Sequence, residues 1–292
     1  MKPPVFLALD IGTSSVRSGL YDCEANALPE TMIKNQRLLE ATKDGGFEID
    51  ADEAFEQIIE AIDDVLMKCP DSAPKIEYSA TSSFWHSILG IDKNGNPTTK
   101  VFAWAETRPA KFVQKLRDEL DEDEIHNRTG CRFHSSYWTA KLLWLQKERR
   151  EEFEKTDRWI SFCDYLVLKF SGELKTSVSM ASGTGIFDIR KSTWDANLLK
   201  HLKISEENLA SIIETDDETF RLNEKYSARW ERLKNTEFFY AIGDGAGNNI
   251  GANCVSKEKA ALMIGTSGAM RVAFEGDVPN DIPEGLWCYR ID

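Results

Sequence analysis

Hydrophobic positions recur along this chain with two different periods, and each change of period marks a new element. Residues 5–9 are a continuous apolar run ending on Asp10, the pattern of a short buried strand. Residues 12–15 read as a turn and 16–21 as a second strand, so the chain is expected to open with a hairpin. Between 51 and 67, Phe55, Ile58, Ile59, Ile62, Leu66 and Met67 fall on one helical stripe. Asp50 is placed to cap that helix, and Pro70 to stop it. Residues 76–83 read as a strand. Asn94-Gly95, between the apolar runs 88–91 and 98–104, is a strong signal for a tight hairpin turn.

Farther along, residues 137–153 predict one long amphipathic helix carrying Trp138, Leu142 and Leu145, with many charges on its other face. The apolar segment 159–170 is ended by Ser171-Gly172. Residues 184–189 predict a strand, and 191–230 helices and polar loops. Residues 238–242 predict a strand running into a glycine-rich turn at 243–247, with a helix opening at 248–252. Runs 260–264 and 270–274 read as strands joined by Gly265-Thr266-Ser267-Gly268, and 286–291 as the start of a further strand. Interspersed strands and helices make the class α/β. Residues after about Cys254 are too few for a core of their own. They are expected to pack on the first domain, pair with another chain or begin a second domain.

Composition narrows the function. Of 292 residues, 41% are hydrophobic, including 8 Trp and 15 Phe, enough for a sizeable core. A net charge of −13 would repel nucleic acid and anionic membranes. An anionic substrate would therefore need a local positive field or Mg²⁺. The six cysteines form no C-x-x-C pair, which suits reduced thiols in a cytoplasmic protein. The four histidines show no metal-ligand spacing. No run is long enough to span a membrane, and the opening does not read as a signal peptide.

Three segments carry candidate chemistry. In Asp10-Ile11-Gly12-Thr13-Ser14-Ser15 a carboxylate ends a strand, with a glycine and small hydroxyl residues after it. Such a turn exposes backbone N–H groups that cradle phosphate oxygens, and a carboxylate facing phosphates makes sense with a cation between them. The same residues also suit an ordinary hairpin with a capping Asp. Gly265-Thr266-Ser267-Gly268 repeats that chemistry between two later strands, though a plain hairpin would look alike. In Gly243-Asp244-Gly245-Ala246-Gly247 the carboxylate of Asp244 can accept a proton from a substrate hydroxyl attacking a γ-phosphate; a helix N-cap is the alternative. That glycine spacing is not the dinucleotide G-x-G-x-x-G pattern. The serine-rich run 177–184 reads as a structural turn, with no Ser-His-Asp order around it.

Taken in order, the segments resemble the FGGY family of carbohydrate kinases over nearly the whole chain. "LALDIGTSSVRSGLYD" looks like its first phosphate motif and "FAWAETRPA" its Trp-x-(Asp)-x-Arg segment. "HSSYWTAKLLWLQ" and "FCDYLVLKFSGELKTSVSMASGTGIFDI" are similar to its middle segments. "AIGDGAGNNIGA" looks like its base-bearing loop, "ALMIGTSGAMRV" its second phosphate motif and "GLWCYRID" the family's segment beyond that motif. The gluconate and xylulose kinase branch is the most similar.

The resemblance implies an actin-like ATPase (ribonuclease H-like) fold, with residues 1–253 as an N-terminal sugar-binding domain. Residues 254–292 would begin a truncated ATP-binding domain of the same type, because the family's glycine-rich adenosine motif lies beyond "YRID". It implies phosphorylation, with ATP and Mg²⁺, of a hydroxyl on a small sugar, polyol or sugar acid, gluconate-like being favoured. Asp244 would be the general base and would touch the substrate. Asp10 would hold the metal, and Gly12, Thr13, Ser14, Gly265 and Thr266 the phosphates. Trp104 would offer an apolar platform to the sugar, with His86 and Tyr137 beside it; a purely structural His86 is the alternative. Glu106 and Trp85 stand where the family more often has Asp and Met or Gln. The resemblance leaves room for a homodimer. Two other readings stay open: an inactive sugar-binding fragment or pseudoenzyme, and a non-sugar actin-like ATPase.

Overall fold

In strand β1 (Val5–Ile11) the residues Val5, Leu7, Leu9 and Ile11 are at most 2% exposed, while those between them are only partly buried. This period-2 pattern turns one face of the strand onto the core. The computed structural model describes residues 4–36, 40–264 and 268–292. β1 returns as β2 (Ser15–Tyr21), and β3 (Ile33–Gln36) completes an antiparallel meander. Helix α1 (Ala51–Lys68) then crosses over. Asp50 caps it by accepting from the Asp52 and Glu53 N–H groups, as expected. Its buried stripe of Phe55, Ile58, Ile59, Ile62 and Val65 lies on the sheet. The chain re-enters as β4 (Ile76–Ser83), parallel to β1.

The main sheet is completed much later by β5 (Thr219–Phe220), β6 (Glu237–Phe239) and β7 (Ile242–Gly243). Its order is β5-β6-β4-β1-β2-β3, with β7 also pairing on β4. β6 and β7 run parallel to β4. This α/β sheet is the actin-like ATPase fold that the sequence implied. An aromatic group of Phe55, Phe170, Tyr226 and Trp230 fills the space under it.

Several expected elements come out differently. The single helix over 137–153 is two, α2 (Trp138–Glu148) and a short helix Arg150–Lys155, broken at Arg149. Nor is α2 amphipathic: residues 138–145 are all buried, Lys141 among them at 0% exposure. The charges taken for a solvent face belong to its last turn and to the short helix. The strand expected over 184–189 is reduced to Phe187–Asp188. The segment 243–247 is not a turn, because α3 (Asp244–Gly251) starts on Asp244 itself. Trp138, Trp144 and Trp159 are core residues, in a second cluster with Phe187 and Trp194.

Past residue 253, β8 (Ala261–Ile264) and β9 (Gly268–Arg271) form a second hairpin, its return strand lying two residues earlier than the expected 270–274. Residues 286–291 do not form a strand. They lie extended across the first body, where the Cys288 N–H donates to the Gly130 carbonyl at 3.0 Å. Gly130 has φ +72°, and a Cβ there would fall 1.8 Å from the Cys288 oxygen, so only glycine admits this segment.

Candidate active site

Register places the site. Asp10 of β1 and Ile242 of β7 both stand opposite Ser82 of β4, and one residue on, Ile11 and Gly243 both stand opposite Ser83. Three parallel strands therefore end at one level. Ligands of open α/β sheets bind outside such carboxyl ends. Asp10 and Asp244 sit at this edge, and the charge of one acts on the other.

Asp10 is partly exposed. Its Oδ1 accepts from Ser82 Oγ at 2.9 Å and its Oδ2 meets Arg17 Nη1 at 2.7 Å. The ion pair is about half exposed on both sides, so it is weak and readily exchanged. The turn beyond is closed by Gly12 N–H on Ser15 C=O at 2.9 Å, with Gly12 and Thr13 partly exposed and Ser14 exposed. Among the described residues no group of three or more ligating side chains gathers. One or two carboxylates at an open edge are the donor set of a cation that keeps its waters, so the residues present fit Mg²⁺. Gly265 and Thr266, the expected phosphate residues of the second turn, lie outside the described residues.

Asp244 occupies the first position of α3, and its Oδ1 accepts from Gly245 N–H at 2.8 Å. Burial holds its carboxyl above the ordinary aspartate range. The Gly245 N–H and Arg271 oppose that rise, and the charge of Asp10 adds to it. A carboxylate so raised is a better proton acceptor than an exposed one.

Trp85 forms the floor. It is 5% exposed, and its Nε1 donates to Ser179 C=O at 2.9 Å. A Cβ at Gly243 would come within 1.8 Å of its ring and one at Gly183 within 2.5 Å, so glycines make room for the indole. The serine run is structural, as expected: Ser177 caps the short helix Val178–Ser182, and Ser179 Oγ accepts from Gly243 N–H at 3.1 Å.

His86 stands above Trp85 at φ +68°, an uncommon backbone for a non-glycine residue. Its Nδ1 contacts the Gly183 carbonyl, which can only accept, so Nδ1 carries the proton and Nε2 is free to accept. Burial pushes the ring down to about 4, leaving it neutral at pH 7. Tyr137 packs edge-on to it at 5.0 Å between ring centroids, and the Tyr137 and Tyr289 hydroxyls hydrogen-bond. Tyr289 also lies 4.9 Å from the Trp85 ring.

Trp104 is partly exposed, and its carbonyl accepts from Ser136 Oγ at 2.7 Å. Nearby, Glu106 is fully buried yet satisfied. It takes Phe47 N–H at 3.1 Å, Arg108 Nε at 2.8 Å and Arg108 Nη2 at 2.7 Å, so its extra methylene relative to Asp is accommodated.

Lys141 and Tyr289 were missed by sequence reasoning. Lys141 Nζ donates to His86 C=O at 2.7 Å, Phe102 C=O at 3.1 Å and Ala103 C=O at 2.8 Å. It thereby ties the His86 segment to the one that leads into Trp104. Burial pushes its ammonium down to about 7, against the pull of Glu106. A lone charge in a stretch otherwise apolar but for Thr139, residues 138–145, was the available signal.

Two cavities lie elsewhere, one bordered by Trp194, Glu214 and Arg290 and the other by Asp50, Lys100 and Arg149; Asp10, Asp244 and His86 line neither. No helix among the described residues is long and apolar enough to cross a membrane.

Known proteins resemble this chain in sequence and fold. Residues 5–251 match the N-terminal domain of the FGGY family of carbohydrate kinases. A gluconokinase of Bacillus subtilis strain 168 is 27% identical over 98% of this chain and 55% of its own length. A xylulose kinase of Staphylococcus xylosus is 23% identical over 94% and 56%. The crystal structure of a gluconate kinase from Lactobacillus acidophilus superposes with a TM-score of 0.86 at 30% identity, over 92% of this chain and 54% of that one. The chain thus spans about half the length of the curated relatives it matches.

Proposed function

Because the chain belongs to the FGGY family of carbohydrate kinases, we propose that it supplies the sugar-binding and base-bearing part of an enzyme that phosphorylates a hydroxyl of a small sugar, polyol or sugar acid with ATP. The observation that carries this is the pair of carboxylates, Asp10 and Asp244, at the common end of three parallel strands. Asp244 accepts the hydroxyl proton as the oxygen attacks the γ-phosphate. His86 Nε2 accepts a hydrogen bond from another hydroxyl, and Tyr137 and Trp104 offer ring faces to the carbon skeleton.

Asp10 is the residue that would hold Mg²⁺, with Arg17 released from it. Bound Mg²⁺ neutralises charge on the ATP phosphates. Gly12, Thr13 and Ser14 would present their N–H groups to those phosphates, and Gly265 and Thr266 the matching groups of the second turn. Residues 1–253 would form the sugar domain, and 254–292 would belong to the ATP domain. Relatives named for gluconate favour a sugar acid as substrate.

The test is ADP release from MgATP with D-gluconate, D-xylulose, D-ribulose and glycerol. Turnover with one of them, lost in Asp244→Asn, is expected. ADP release indifferent to every sugar would sink the proposal and point to a non-sugar ATPase. Sugar binding without ADP release would assign this chain only the sugar-binding half of the activity.

A further inference from the structure

The positive charge facing the site comes from β9. In that strand Gly268 and Met270 are exposed while Ala269 and Arg271 are partly covered, so Arg271 is turned toward the body. Its carbonyl accepts from Asn249 Nδ2 of α3 at 3.1 Å, which fixes the strand against that helix. A Cβ on Gly245 would fall 2.6 Å from Arg271 Nε, so the guanidinium lies directly on the first turn of α3, beside the Trp85 ring. Its charge is felt by Asp244, His86 and Tyr289 alike. The other cations near the cluster are committed: Arg17 to Asp10, and Lys141 to three carbonyls. Arg271 makes no ion pair within 4 Å among the described residues.

We propose that Arg271 is the specificity-determining residue for a carboxylate on the substrate, making the preferred ligand class an aldonate rather than a neutral sugar. This rests on the sugar-kinase reading of the same site. Two anions could call for such a guanidinium: the substrate's carboxylate or a phosphate of the nucleotide. Position favours the first. Arg271 is three residues past Gly268, where the second turn ends, and at about 3.3 Å per residue that is about 10 Å along the strand. A phosphate held at the turn would be served by the turn's own N–H groups, whereas the guanidinium, set on the first turn of α3 beside the Trp85 ring, faces the polyol whose reacting hydroxyl is at Asp244. In a chain of net charge −13 with two carboxylates at the site, an anionic substrate would be repelled without this residue. A guanidinium also matches a carboxylate with two parallel N–H donors.

The experiment titrates D-gluconate and D-glucitol, its neutral counterpart with the carboxylate reduced to an alcohol, into wild type, Arg271→Leu and Arg271→Lys, and titrates MgATP into each. Wild type is expected to prefer gluconate by about tenfold or more. That preference should collapse toward unity in Arg271→Leu and recover in part in Arg271→Lys, with MgATP affinity the same in all three. Equal binding of the two ligands by wild type, or a preference that survives Arg271→Leu, would overturn the assignment. So would a loss of MgATP affinity that leaves the preference intact. If polyols bind and Asp244→Asn abolishes turnover while the preference ignores Arg271, the sugar site stands and only Arg271 falls. If neither ligand binds wild type, both readings fall. Thermal melts of the variants check that each is folded.

Discussion

Two hairpins with the same small-residue turn chemistry meet opposite fates in this molecule. The first, β1–β2, is sunk in the seven-stranded sheet, with Leu7 and Leu20 at 0% exposure. Among the described residues the second, β8–β9, pairs only with itself and leaves Leu262 67%, Ile264 78% and Met270 73% exposed. The local sequences specify hairpins equally well. Tertiary cover separates them: α1 and β4 flank the first, whereas the second touches the body mainly through Arg271 and Met263, near Asn249 and Asn248. Contiguous exposed apolar side chains on one hairpin mark a face suited to further packing. The chemistry obeys the same divide, since the embedded side holds Asp10 and the strand ends while the second hairpin contributes a cation.

The largest expected effect tests whether the embedded side carries the chemistry. Asp244→Asn should lower the rate of sugar-dependent ADP release by about 10²–10⁴-fold while sugar binding persists. A variant that keeps wild-type turnover would break the assignment. The hairpins are then compared directly by urea unfolding. Leu7→Ala should cost about 3 kcal/mol, and Leu262→Ala less than about 0.5 kcal/mol. Equal costs would mean that the second hairpin is covered in solution. Lys141→Met should cost about 2 kcal/mol, because three buried carbonyls lose their donor. A neutral result would show that these carbonyls find water.

The smallest effect is a pH dependence. The folded value of Lys141 is about 7, below its ordinary 10.5, so the unfolded state binds more protons between those values. The lysine's contribution to stability is therefore full above about 10.5 and is lost as pH falls through about 7. The difference in stability between wild type and Lys141→Met should shift in favour of wild type as pH rises across that window. A flat difference would mean that the carbonyls hold the ammonium near its ordinary value.

Much of the fold was legible in the chain. β1, α1 with its Asp50 cap, and β4 arise from local periodicity and capping, which act within a few residues. The class, the family and Asp10 at a strand end were legible as well. The misreadings share a cause. Residues 137–153 looked amphipathic because charge was read as exposure, yet Lys141 is buried by the carbonyls of a segment about 40 residues away. The glycines at 243–247 looked like a turn because glycine disfavours helices, but Gly243 makes room for Trp85 and Gly245 for Trp85 and Arg271. Residues 286–291 looked like a strand, but their backbone bonds go to Gly130 and Ser182 instead. Long-range packing decides each case, and no local pattern encodes it.

That last segment also bears on the order in which the molecule is completed. Tyr289 bonds to Tyr137 across 152 residues, His126 bonds to the Leu286 carbonyl across 160, and Arg290 to Ser182 across 108. Loops of that length close slowly, after the local hairpins and helices that form around them. On the ribosome the sheet and α1 can assemble while the aromatic wall beside His86 is still unmade, and that wall closes only when residues 286–291 emerge. A nascent chain should thus acquire a protease-resistant core before it acquires sugar affinity, and that interval is when the indole of Trp85 is open to solvent.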